Sequence, residues 1–169
     1  MKLHGLVLVV LSMSMTATAQ EAGDGGRYKL KRDADFSSLY PRSGAVAEGA
    51  LPFDKSYGEF TPAQQNRIKM DYVALAEGDE PPFPLQGLGA LYRPVSKAQQ
   101  KLLASGDFRA DAEIDQEGNV VAVAVRQSPS EQVTKFMANI LLLTKFKPAV
   151  CRGQPCQMGF PVNVTFEVE

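Results

Sequence analysis

GDFRADAEIDQEGNVVAVAVRQSPSEQVTKFMANILLLTKFKPAVCRGQPCQMGFPVNVTFEVE, residues 106–169, is the stretch that decides the fold, because periodicity runs through it from end to end. Apolar and polar residues alternate from Phe108 to Asp115, with Phe108, Ala110, Ala112 and Ile114 on one face and Arg109, Asp111, Glu113 and Asp115 on the other. Successive side chains of a strand point to opposite faces, so this alternation predicts a half-buried strand. Gln116-Glu117-Gly118-Asn119 tolerates a positive φ, and the run Val120 to Val125 that follows is rich in β-branched residues, which together predict a β-hairpin. Ser128-Pro129-Ser130-Glu131 has the form of a capping box with proline at the first helical position. Val133, Phe136, Met137, Ile140, Leu141 and Thr144 then share one helix face, and Lys145, Lys147 and Pro148 predict an end near Phe146. Phe160, Val162, Val164, Phe166 and Val168 alternate with Pro161, Asn163, Thr165, Glu167 and Glu169, a third strand.

The order is β-β-α-β, and its geometry follows from connection rules. A hairpin makes the second strand antiparallel to the first. A helical crossover brings the third strand back along the second, and its natural place is beside the first, giving spatial order 2-1-3. One face takes the helices; the other, bearing Arg109, Asp111, Glu113, Asn163, Thr165 and Glu167, is too polar to bury. A second, shorter helix is expected from Ser96 to Ala104, closed by Gly106 and packed beside the main helix through Leu102 and Leu103. The expected class is α+β: a three-stranded antiparallel or mixed sheet with two helices on one face, preceded by an N-terminal helical and loop extension. The third strand becomes an edge, either open or capped by residues 50–60.

Outward from that domain, residues 91–169, the chain changes character. Residues 50–90 form an accessory segment: aromatics return between Leu51 and Phe60, Thr61-Pro62-Ala63-Gln64 caps a helix expected to reach Ala76, and EGDEPPFPLQGLG, residues 77–89, is too rich in proline and glycine for regular structure. PPFP within it lacks the PxxP spacing of a polyproline ligand. Gln20 to Gly49 mixes glycine, alanine, serine and charge and is expected to be a flexible leader. Residues 1–19 combine Lys2, a short apolar run from Leu6 to Leu11 and Ala17-Thr18-Ala19, the pattern of a secretory signal cleaved near Ala19. That run is far shorter than the roughly 20 apolar residues of a spanning helix. The expected location is periplasmic or secreted, with membrane contact only through partners.

Composition narrows the chemistry. The only histidine, His4, lies in the signal, so histidine-based triads and most zinc or iron sites have no ligand to build on. Ser96-Lys97 and Ser130 with Lys135 miss the Ser-x-x-Lys spacing, and the adjacent acids Asp79-Glu80 read as solvated caps of a turn. The chain is therefore expected to be no enzyme and to need no cofactor or metal. A formal charge of -1 gives no reason to expect nucleic acid. Cys151 and Cys156, in CRGQPC, are expected to form a disulfide in an exported protein; the spacing is not that of thiol oxidoreductases. Asn163-Val164-Thr165 matches a glycosylation sequon by coincidence of pattern.

Several residues in this order carry a family likeness: Gly106 opening the first strand, Ile114-Asp115 before Gly118-Asn119-Val120, Ser128 ahead of the helix, Phe146-Lys147-Pro148-Ala149 after it, Gly153-Gln154-Pro155, and Val162, Val164 and Phe166 in the last strand, with Leu91-Tyr92-Arg93-Pro94 as a loose entry sequence. The stretch from Tyr92 to Glu169 resembles the C-terminal domain of TonB-type and TolA-type proteins. The resemblance implies a periplasmic interaction module whose last strand pairs with a short extended peptide of an envelope partner, an outer-membrane receptor in the TonB case. Carried to this chain, the binding residues are Phe160, Val162, Asn163, Val164, Thr165, Phe166 and Glu167. The alternative the resemblance offers is an energy transducer coupling the proton-motive force to receptor transport. Against that alternative stand the missing long proline-rich spacer and the missing membrane anchor.

Overall fold

The computed structural model describes residues 29–30, 51–73 and 75–167. The expected signal peptide, nearly all of the leader, and Val168 and Glu169 lie outside the described residues. In chain order the elements are β1 (Lys29–Leu30), a 3-10 turn (Tyr57–Glu59), α1 (Pro62–Lys69), β2 (Tyr72–Val73), β3 (Phe83–Pro84), α2 (Gly89–Leu102), β4 (Gly106–Ile114), β5 (Val120–Gln127), α3 (Glu131–Leu143), β6 (Phe146–Lys147), β7 (Ala149–Cys151), β8 (Gln154–Cys156) and β9 (Met158–Phe166).

The main sheet has the order β5-β4-β9, and β4 is antiparallel to both neighbours. β9 therefore runs in the direction of β5 with β4 between them, the arrangement that a hairpin followed by a helical crossover requires. Among the described residues all ladders are antiparallel and there are three α-helices, an α+β class. Two-residue and three-residue ladders β1-β2, β3-β6 and β7-β8 surround the main sheet.

The core face of β4 carries Ala110 opposite Val125 and Val162, and Ala112 opposite Val123 and Phe160. Small residues on the central strand with larger ones on both flanks leave a trough for the helix layer. α3 lies over β5 and β4, with α2 beside it. Val133, Met137 and Leu141 are its buried residues, whereas Phe136 and Ile140, expected as core, are half-buried at the margin. Phe108, Ile114, Phe160, Val162 and Phe166 are buried from the sheet side. Leu51, Tyr57, Phe60, Ile68, Tyr72, Phe83 and Leu88 join the same cluster, so residues 51–88 share one core with the sheet.

Four boundaries depart from the sequence expectations, each for a traceable reason. α3 is capped by Ser130, not Ser128: the Ser130 Oγ accepts from Val133 N at 3.2 Å, while Ser128 Oγ donates to the Ser130 carbonyl. α3 ends at Leu143, ahead of Phe146, because the Phe146 amide donates to the Gly118 carbonyl at 3.0 Å and Phe146–Lys147 pairs with Phe83–Pro84. Gly118, at φ +80°, is required twice over: a Cβ there would lie 2.0 Å from the Phe146 carbonyl oxygen. α2 starts at Gly89, well before Ser96, and absorbs Pro94, since Leu91 and Val95 are buried on either side of it; burial of that face outweighs the one backbone bond that proline removes. Its last turn closes on Leu103 at φ 44°, and Leu103 is exposed, so only Leu102 packs against the core. α1 ends at Lys69, not near Ala76, because Tyr72–Val73 pairs with Lys29–Leu30 of the leader. Its capping box is as the sequence reads: Gln64 N donates to Thr61 Oγ1 and Thr61 N to Gln64 Oε1.

Candidate functional site

β9 holds all but one of the binding residues that the resemblance points to; Glu167 follows directly after it. Phe160, Val162 and Phe166 are buried beneath the helices, Val164 is half-buried on the same face, and Asn163 is half-buried on the other. Thr165 and Glu167 are exposed. Polar groups at the far end are engaged within the fold: Thr165 Oγ1 donates to Asp107 Oδ1 at 2.9 Å, and Gln99 Nε2 donates to the Glu167 carbonyl at 2.7 Å. The side chains of β9 thus serve mainly to hold it against β4 and the helices. What an incoming chain would meet is its backbone edge.

Among the described residues β9 forms ladder pairs with β4 alone. β1 runs close beside it, yet takes its ladder pairs from β2. Residues 51–60, weighed from the sequence as a cap for this edge, turn inward: Leu51, Tyr57 and Phe60 are buried. Their aromatic rings meet Phe83, with centroids 6.2 Å from Tyr57 and 5.3 Å from Phe60, and Phe83 stands edge-on to Phe160 at 6.2 Å. Phe146 completes the cluster 5.1 Å from Phe160. The edge-to-face pairs Phe60–Phe83, Phe83–Phe160 and Phe146–Phe160 add to the burial these rings already contribute.

The loop before β9 is organised by a residue that sequence reasoning set aside. Cys151 and Cys156 lie at disulfide distance across the β7-β8 hairpin, with Cα atoms 5.8 Å apart. The hairpin turn puts Arg152 at φ 52° and Gly153 at φ 79°. Asp79, expected to be a solvated turn cap, does cap the turn, accepting from Ala76 N at 3.1 Å, but it is buried. Its other oxygen accepts from Arg152 N at 2.7 Å, so one carboxylate ties the accessory loop to the disulfide hairpin. A buried carboxylate is tolerable only with such bonds. Glu80 and Val150 exchange backbone bonds alongside it, Lys147 pairs with Glu80 at 2.9 Å, and the Lys147 ammonium sits 5.0 Å from the centre of the Tyr57 ring. Burial, with Glu80 as a lesser contributor, pushes the Tyr57 phenol far above its ordinary range, and it stays protonated. The Glu77-Gly78-Asp79 turn was visible in the sequence; its partner, more than seventy positions away, was not.

Ser130 caps α3, Lys135 pairs with Glu131 at 2.6 Å, and Ser96 and Lys97 are exposed on α2. Among the described residues no group of three histidine, cysteine, aspartate or glutamate side chains could hold a metal ion, and no helix is long and apolar enough to cross a membrane. No family model matches the chain, and no curated protein matches it significantly.

Proposed function

We propose that this chain is an exported, non-enzymatic interaction module of the envelope, resembling the TonB C-terminal domain, and that it receives an extended peptide of an envelope partner by strand addition at β9. The observation that carries this reading is the position of β9: it is the last element of a β-β-α-β unit, lies at the sheet margin, and is laddered on one side only among the described residues. The chain's own extended segment, Lys29–Leu30, running beside it is consistent with an edge that accepts a strand. In strand addition the main chain supplies affinity and alternate side chains supply selectivity. Here the alternate positions facing away from the helices are Asn163 and Thr165.

Proline substitution tests this, because successive N–H groups of a strand point to opposite sides and proline removes one donor. Asn163→Pro and Val164→Pro sample the two registers. With the purified protein as bait against envelope fractions, one variant is expected to keep its melting temperature and lose the captured partner, while the other misfolds. If both fold and capture normally, strand addition at β9 is wrong. If both misfold, that edge is already in use within the fold.

A further inference from the structure

The opposite margin of the sheet is built differently. Among the described residues β5 is laddered to β4 alone, and from Val120 to Val125 it contains neither a charge nor a proline. Val121 is 53% exposed, Val125 39%, and Ala122 and Ala124 between them are exposed as well. Natural edges are usually blunted by lysine, proline or an inward charge, because a bare apolar edge pairs with any strand it meets. β5 has Arg126 near its end, held to Asp111, and irregular pairing at its two ends, but no such device between them. Register shifts against β4 at both ends of β5 leave Ala122–Val125 as its regular run.

α3 extends this bare surface. It lies over β5 and has α2 on its other side. Gln132, Phe136, Asn139, Ile140 and Leu143 follow one another along a single flank of the helix. Leu143 is 83% exposed, the highest value for a large apolar residue among the described residues, and a right-handed crossover from β5 through α3 to β9 turns this flank away from the side of β9. None of its residues is charged; Glu131 and Lys135 pair with each other elsewhere on the helix surface.

We infer that β5 and this flank of α3 take a second copy of the same chain, paired antiparallel about a two-fold axis. The surface matches itself: no like charges meet along Val120 to Val125 or along the helix flank. Its ends are complementary as well. The turn preceding β5 carries the exposed Glu117 and the strand finishes at the exposed Arg126, so antiparallel self-pairing sets the acid of each copy beside the cation of the other. Parallel pairing would instead oppose like charges at both ends. A two-fold axis normal to the sheet keeps both copies of α3 on one face, flank against flank, and covers Phe136, Ile140 and Leu143. Strand and helix contact together bury on the order of 1,000 Å², the lower range for specific interfaces, so the dimer is weak and concentration-dependent. The product is one six-stranded sheet with a β9 at each far margin. Two β9 edges on one particle would bind a repeated partner with avidity, yet the dimer stands whether or not β9 binds anything.

Sedimentation analysis of protein expressed from the full 169-residue sequence tests this. A dimer is expected at roughly micromolar concentration and above, dissociating on dilution. Leu143→Lys and Val121→Lys each place a charge on an already exposed position of the surface and are expected to give monomers with unchanged circular dichroism. Glu117→Lys, setting cation beside Arg126, raises the dissociation constant several-fold. Leu103→Lys, at another highly exposed leucine, 74% against 83% for Leu143, off this surface, leaves the dimer intact. A wild-type protein that is monomeric at every concentration overturns the inference, as does a dimer that survives both lysine variants. Uptake of an extended peptide along β5 by a monomeric wild type overturns it too, since the occupant is then not a second copy.

Discussion

The two margins of the sheet share a central strand and little else. β9 pairs with β4 from Gly106 opposite Phe166 to Ile114 opposite Met158 without a register shift, and Phe160 within it is packed by Phe83 and Phe146. β5 pairs with the same strand through two register shifts and, among the described residues, has α3 as its main cover. The difference comes from where the accessory segment places its apolar residues: Leu51, Tyr57, Phe60 and Phe83 enter the common core beside Phe160, whereas Val121 and Val125 stay exposed among the described residues. Among the described residues a single small sheet thus has one margin packed by a local aromatic core and another left apolar and exposed. That asymmetry separates the two proposed contacts, a peptide at β9 and a second copy at β5.

The largest effect expected from this comparison is at Phe160. Phe160→Ala removes the ring on which Phe83 and Phe146 converge and is expected to cost about 3 to 5 kcal/mol in urea unfolding, as full-size core truncations do. A loss under about 1 kcal/mol would mean that the β9 margin is no denser than the other.

The disulfide comes next. In oxidised protein neither Cys151 nor Cys156 should alkylate without reductant, and mass spectrometry reads this directly. Replacing both by serine is expected to cost about 2 kcal/mol on the chain-entropy model of so short a loop. The fold should survive, because Asp79 still accepts from Arg152 N and holds the hairpin from the accessory side. Unfolding of the double variant at room temperature would show that the carboxylate clamp depends on the covalent link.

The smallest effect belongs to the bare margin. Phe136 is half-buried on the flank of α3, so Phe136→Ala is expected to cost about 1 to 2 kcal/mol, well below Phe160→Ala, when measured in dilute, monomeric protein. Equal losses at the two phenylalanines would erase the contrast.

Local chemistry made much of this legible. Strict alternation marked both ends of β4 and the start of β9 to within two residues, and Gly118 marked the hairpin turn between β4 and β5; β9 ends at Phe166, short of the expected end at Glu169. Errors arose where two neighbouring residues had equal local merit. Ser128 and Ser130 can both cap a helix, and the choice fell to Ser130 once the chain leaving β5 carried Pro129 past Gly106. Pro94 reads as a stop in isolation, but burial of Leu91 and Val95 carries α2 through it. For β9 the alternation identified the strand and its inward face; that β1 would run beside it carried no sequence signal, because Lys29–Leu30 is too short to show a period.

The β-β-α-β order of the main unit, the strand order 2-1-3, the α+β class and the pairing of the two cysteines follow from the sequence alone, because each rests on residues within one turn, one period or one connection. Tertiary structure alone decided that Asp79 is buried against Arg152, that the aromatics of residues 51–60 enter the core instead of edging the sheet, and that β5 is the margin left apolar and uncovered. Those outcomes depend on contacts between residues far apart in the chain, where burial and unsatisfied backbone groups are settled jointly and leave no periodic trace in either partner.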